Sequence, residues 1–148
     1  MILRIFPMAD SLHFWVEVAA MLCYQKRSMT IYKQFTFDAA HFLPNVPVGH
    51  RCRQVHGHTY HLTIYVSGTF NTEEGWVIDF KELKAVVKPL VDQLDHAMLN
   101  EIQELQNPTA ENVARWFWQA IQPKIPGLSR IELKETPTSG VIYEGEDE

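Results

Sequence analysis

Cysteine is nearly absent from this chain of 148 residues. Cys23 and Cys52 are the only two, too few for a disulfide scaffold, so a reducing cytoplasmic setting is expected. Basic residues are also in deficit, with 13 Lys and Arg against 18 Asp and Glu for a formal charge of −5. That balance argues against a general binder of nucleic acid or of membrane surfaces, both of which call for a basic face. It leaves room for a local pocket that takes an anion. Long apolar runs are missing too. The most apolar stretch, residues 12–24, is broken by Glu17, and a membrane helix needs about 18 uninterrupted apolar residues. It is equally poor as a secretory signal, because Asp10 precedes it and no clean small-residue cleavage site comes after it. Internal repeats and low-complexity linkers are absent. The expectation is one soluble, cytoplasmic domain that folds on an apolar core.

Residues 1–28 differ in character from the rest of the chain. Leu12, Trp15, Val16, Ala19 and Leu22 recur at helical spacing, while Met29 directly precedes a strong strand signal. This segment reads either as an appended helix or as an extension upstream of a start at Met29, and the second is favoured. Residues 29–148 read as the single domain. Strands are expected over 31–40, with Phe35, Phe37, Ala39 and His41 on one face, and over 55–67, with Leu62, Ile64 and Val66 aligned. Between them, residues 42–53 form a loop. A short strand is expected at 76–78. Asp79 with Glu82 marks the start of a helix striped by Leu83, Val87, Leu90 and Leu94, which Pro89 should kink or end early. A second helix should open with Asn107 as N-cap and Pro108 at its first position, burying Val113, Trp116, Phe117, Ala120 and Ile121. Strands at 131–136 and 141–143 complete a β-β-β-α-α-β-β order, an α+β chain with an antiparallel sheet and helices on one face.

Four of the seven histidines fall within residues 50–61. His56 and His58 are two apart and share the parity of Tyr60, Leu62, Ile64 and Val66, so both rings point to the apolar side. Inward imidazoles need partners, and a divalent metal is one. Zinc commonly takes three protein ligands and keeps a fourth position open in catalytic sites. His41 has the parity to be the third ligand; His61 has the opposite parity. Gly57 allows close backbone approach. The plain alternative is a set of satisfied core or surface histidines. Cys52 lies between Arg51 and Arg53, which favour the thiolate. An inert thiol, or a fourth ligand in a closed structural zinc site, fits the spacing equally well. Asp95 and His96 sit where the first helix ends; a carboxylate can orient an imidazole, or the two can be merely capping and surface groups. Glu135 shares the parity of Ile131 and Leu133. A glutamate on an apolar face needs strong partners, and a ligand with two parallel N–H donors, such as an aminopyrimidinone, would satisfy both oxygens. A buried ion pair or a strand-end position would also explain it. Thr136, Thr138 and Ser139 add hydroxyls nearby.

Together these segments resemble the 6-pyruvoyl-tetrahydropterin synthase family. The matching pieces are Phe37-Asp38-Ala39-Ala40-His41 and Gly49-His50-Arg51-Cys52-Arg53-Gln54-Val55-His56-Gly57-His58, then Gly75-Trp76-Val77-Ile78-Asp79-Phe80. Leu94-Asp95-His96, Asn107-Pro108-Thr109 and Lys134-Glu135-Thr136 complete the series. Within the family, the Cys-x-x-x-His-Gly-His spacing is similar to the bacterial branch that makes 6-carboxy-5,6,7,8-tetrahydropterin for queuosine biosynthesis. The resemblance implies the tunnelling fold: a four-stranded antiparallel sheet with two helices on one face, three copies closing a twelve-stranded barrel, and two trimers stacking into a homohexamer with sites between subunits. It implies Zn2+ on His41, His56 and His58. It further implies Cys52 as general base, with Asp95 and His96 as its proton-relay partners, and Glu135 as anchor of the pterin ring, assisted by Thr109 and Thr136. The implied substrate is 7,8-dihydroneopterin triphosphate. Charge alone suggests Arg51 and Arg53 as contacts for its phosphates. The alternatives are release of triphosphate alone to give the 6-pyruvoyl product, a cupin-type metal oxygenase, which lacks its usual glutamate here, and a zinc-stabilised binding module.

Overall fold

The computed structural model describes residues 28–145. The expectations for residues 1–27 lie outside the described residues, as do those for the acidic residues 146–148. Two 14-residue strands, β1 (Ser28–His41) and β2 (His56–Thr69), pair antiparallel along their whole length. Helix α1 (Phe80–Leu94) comes next, then the two-residue β3 (Ala97–Met98), helix α2 (Ala110–Ile121), and strands β4 (Leu128–Thr136) and β5 (Ser139–Tyr143). The strand order is β3-β1-β2-β4-β5. The long strands are mutually antiparallel, but β3 runs parallel to β1 through Ala39–Ala97 and Ala40–Met98. The sheet therefore has five strands and is mixed, not four and antiparallel. Two residues carry no periodicity, so β3 was invisible to pattern reading.

The expected strand at 76–78 does not form. Both edges of β2 are already occupied by β1 and β4. The segment instead closes a loop, with the Asn71 N–H donating to the Trp76 carbonyl at 3.0 Å, while Val77 and Ile78 pack on the core. Pro89 does not end α1 either. It lies with Ala85 on the exposed side, where water can take the carbonyl that its missing N–H would have bound. Burial of Leu83, Val87, Val91 and Leu94 holds the helix together through Leu94. Asp79 caps α1 as expected, accepting from the Lys81 N–H. In α2 the cap is Thr109, not Asn107, so the helix begins two residues later than the sequence suggested.

Both helices pack on one face of the sheet. Phe37, Tyr60, Leu62, Ile64, Ile131 and Leu133 from the strands meet Leu83, Val87, Leu94, Val113, Phe117 and Ile121 from the helices in one core. Each fully buried apolar side chain contributes about 1.5–3 kcal/mol relative to exposure. The alternating burial of β1 and β2 runs into this core and ends, at the His41–His56 cross-strand pair, in histidines.

Candidate metal centre and cleft

The antiparallel register sets His41 directly opposite His56 and Ala39 opposite His58. All three imidazoles consequently leave the sheet on its core side at one end. Their ring centroids are 4.4, 5.2 and 5.1 Å apart, and one nitrogen from each lies within 4.8 Å of the others. Gly57 lets the strands close between the ligands, since a Cβ there would stand 3.1 Å from the Ala39 carbonyl oxygen.

The outer hydrogen bonds decide which nitrogens are available. His41 Nδ1 donates to the Pro108 carbonyl and His56 Nδ1 to the Gln54 carbonyl, each at 2.8 Å. That leaves each Nε2 with its lone pair, the arrangement in which carbonyl partners orient metal-binding histidines. His41 Nε2 is buried without any hydrogen-bond partner, a costly state for a polar atom unless something else binds it. Burial pushes the His41 imidazole below its ordinary value. The Pro108 carbonyl opposes this, and the neighbouring His56 and His58 rings add to it. A neutral ring is the ligating form. The three residues thus fit a divalent cation.

The triad opens into a cleft of about 1000 Å3 that Cys52, Thr109 and Glu135 also line. The Cys52 thiol is free and half-buried, on the short 3-10 turn Arg51–Arg53. His50 Nδ1 caps that turn by accepting from the Cys52 N–H at 3.1 Å. The sulfur is not part of the histidine cluster, an arrangement that leaves a metal position open. The two arginines part company: Arg51 lines the cleft, whereas Arg53 donates to the Val46 carbonyl at 2.9 Å and does not line it.

Glu135 is half-buried, and desolvation raises its carboxyl above the ordinary value. His58 opposes that rise, Glu111 adds to it, and His56 and a hydrogen bond from the Tyr60 hydroxyl oppose it. Tyr60 is fully buried and its hydroxyl is pushed well up, by burial first and by Glu135 next. Tyr60 and Glu111 are members of the site that sequence reasoning missed. Parity had placed Tyr60 in the core, although a buried phenol needs a partner. Glu111 gave no signal, because only the placement of α2 brings it into the cleft. Thr109 lines the cleft while its Oγ1 accepts from the Asn112 N–H at 3.3 Å. Thr136 does not line it; it pairs with Ser139 at the β4–β5 turn.

Asp95 and His96 lie elsewhere. Asp95 caps the end of α1, with its Oδ1 3.0 Å from His96 Nδ1. His96 lines a separate depression, whose wall includes His58 but not Cys52. The Asp38 N–H holds the Asp95 carboxyl below the usual range; slight desolvation works against this, and His96 and Lys88 support it.

Comparison with known proteins agrees with the motif series. Residues 30–146 match the family described as 6-pyruvoyl tetrahydropterin synthase. A Synechocystis protein named 6-carboxy-5,6,7,8-tetrahydropterin synthase is 41% identical over 119 residues, covering 76% of this chain and 91% of its own length. A Pyrococcus furiosus protein named dihydroneopterin monophosphate aldolase is 39% identical over 112 residues, covering 74% of this chain and 91% of its own. The solved structure of Caenorhabditis elegans 6-pyruvoyl tetrahydropterin synthase superposes with a TM-score of 0.75 at 24% identity, covering 83% of this chain and 99% of that one, and so shares the fold. A family match running through nearly every described residue, joined to relatives this similar over most of their length, means that the chain belongs to the 6-pyruvoyl tetrahydropterin synthase family.

Proposed function

We propose that this protein is a zinc-dependent 6-carboxy-5,6,7,8-tetrahydropterin synthase, a lyase acting on 7,8-dihydroneopterin triphosphate. The products would be 6-carboxy-tetrahydropterin, acetaldehyde and triphosphate, with one water consumed to balance the new carboxylate, as a step toward queuosine. The observation that carries this reading is the co-location of three imidazoles, one of them with a buried unpartnered nitrogen, with an unligated thiol and a half-buried glutamate in a single cleft.

His41, His56 and His58 would hold the zinc. When bound, it supplies Lewis acidity that acidifies hydroxyls on the substrate side chain. Glu135, as carboxylate, accepts two parallel N–H bonds from the aminopyrimidinone edge and sets the ring's orientation. The Tyr60 hydroxyl steadies that carboxylate from behind. The Cys52 thiolate takes a side-chain proton, and the Asp95–His96 pair exchanges it. Within one chain the pair does not share the thiol's cleft. The reading therefore places the pair on a neighbouring copy, in a homo-oligomer where the four long antiparallel strands of each of three copies, leaving out the two-residue β3, build a twelve-stranded barrel, and two such trimers stack as a hexamer.

A second reading, favoured by the Pyrococcus relative, is an aldolase acting on dihydroneopterin monophosphate; a third is the 6-pyruvoyl synthase. Product analysis separates them. Purified protein of known metal content should release acetaldehyde and triphosphate in equal amounts from the triphosphate substrate. Triphosphate without acetaldehyde would assign the 6-pyruvoyl product, and turnover confined to the monophosphate would assign the aldolase. Cys52→Ala should keep its zinc and lose turnover; loss of zinc would instead mark a closed four-ligand structural site.

A further inference from the structure

His96 is an unusual residue to find exposed. Its side chain is 79% accessible, yet its backbone sits in the left-handed region at φ 58°, which non-glycine residues adopt uncommonly, histidine more readily than most. Asp38 of β1 holds this turn through its backbone. Its carbonyl accepts from the His96 N–H at 2.6 Å, and its own N–H donates to Asp95 Oδ1 at 2.9 Å. That same Oδ1 receives His96 Nδ1 at 3.0 Å. One peptide segment of β1 thus holds both members of the pair and directs the proton of the neutral imidazole to Nδ1, leaving Nε2 with its lone pair.

Asp38 is itself held from the far side. Thr59 stands directly opposite it in the β1–β2 register, and the Thr59 hydroxyl donates to Asp38 Oδ1 at 2.5 Å. Thr59 is next to His58 in the chain, so a continuous path runs from the histidine strand, through one side-chain hydrogen bond, to the Asp95–His96 pair. Both Asp38 and Thr59 are exposed, and an exposed hydrogen bond of this kind adds little to folding. Its value lies in placement. Asp38, Asp95 and His96 also come close enough together to suggest a second cation site. Asp38 Oδ1 is taken up by Thr59 and Asp95 Oδ1 by His96 Nδ1 and the Asp38 N–H, and all three residues are exposed, so a metal is not the reading.

We propose that the Asp38–Thr59 hydrogen bond is a positioning device that sets the Asp95–His96 pair relative to the histidine triad, and that it acts through geometry and not through the charge of Asp38. The proposal rests on the reading of Asp95 and His96 as relay partners.

The test uses the full-length, metal-loaded protein with Thr59→Val, which is nearly isosteric, Asp38→Ala, Asp38→Asn and the Asp38→Ala/Thr59→Val double variant. Thr59→Val and Asp38→Ala should each lower kcat about tenfold, with KM and metal content unchanged. The double variant should be no worse than either single one, because both remove the same bond. Asp38→Asn, which keeps an acceptor oxygen for Thr59, should restore kcat. Nitrogen-15 spectra of His96 should show the Nδ1-protonated tautomer in the parent and a mixture in Thr59→Val. An unchanged kcat in Thr59→Val, additive losses, loss of metal, or an Asn variant as poor as Ala would each overturn the proposal. If the parent fails to turn over dihydroneopterin triphosphate, the functional reading fails. The His96 tautomer then decides alone, and an unaltered tautomer in Thr59→Val refutes the positioning role.

Discussion

Glu135 shows how a residue can be kept at some cost to the fold. Desolvation raises its carboxyl above the ordinary 4.5, so the folded chain binds that proton more tightly than the unfolded chain does. Its contribution to stability is therefore fully present below pH 4.5 and is lost as pH rises through the folded value. Glu135→Gln removes this dependence. In the metal-free protein, thermal unfolding should shift in favour of the Gln variant as pH rises from 4.5 to neutral. Pterin affinity should fall about tenfold, because an amide offers one acceptor and one donor group where the ring presents two donors. Metal content should not change. Equilibrium titration with a pterin, alongside melting curves over pH, checks both halves; unaltered affinity would remove Glu135 from the anchor role.

The start of α2 does two jobs as an element. Thr109 caps it, and the carbonyl of the preceding Pro108 orients the His41 ring. Loosening the cap should therefore be felt at the triad. Thr109→Ala should cost about 1 kcal/mol in stability and weaken metal retention, while Thr109→Ser should recover both. Denaturant unfolding and competition with a chelator measure the two effects. An Ala variant that melts like the parent would show that the cap carries nothing. The hydroxyl oxygen accepts from the Asn112 N–H, so its own proton stays available to a ligand in the cleft. Position 109 can thus cap the helix and still present a donor to the cleft.

At the scale of the molecule, the helices cover one face of the sheet, and the other carries Tyr32, Gln34, Thr36, Asp38 and Thr59. Among the described residues, strand β5 forms one edge of the sheet, and β1 has no neighbour on its outer side beyond its two-residue pairing with β3. Exposed edges invite strand addition, and closure of three sheets into a barrel would use them. If each site takes Cys52 from one copy and His96 from another, two inactive variants should rescue each other. Cys52→Ala and His96→Ala proteins, dissociated together and reassembled, should regain part of the parent activity, whereas each reassembled alone should not. Failure of mixed assemblies, with exchange verified by native mass spectrometry, would place the relay within one chain or remove it. Among the described residues no helix is long and apolar enough to cross a membrane.

Strand parity determined by itself that His41, His56 and His58 face the core, because side chains on a strand alternate with period two. The same rule placed Glu135 inward, and residue chemistry with motif order was enough to recognise the family. Sequence could not settle that β3 exists, that 76–78 is no strand, or that α2 starts at Thr109. Those outcomes depend on which strand edges were already taken and which caps the packed chain could reach. Nor could it reveal that Arg53 and Thr136 stay out of the cleft, that Glu111 lines it, or that the buried Tyr60 bonds Glu135 from beneath it. A local pattern fixes the face on which a side chain lies, but the neighbours it meets there come from segments dozens of residues away, and only the packed chain brings them together.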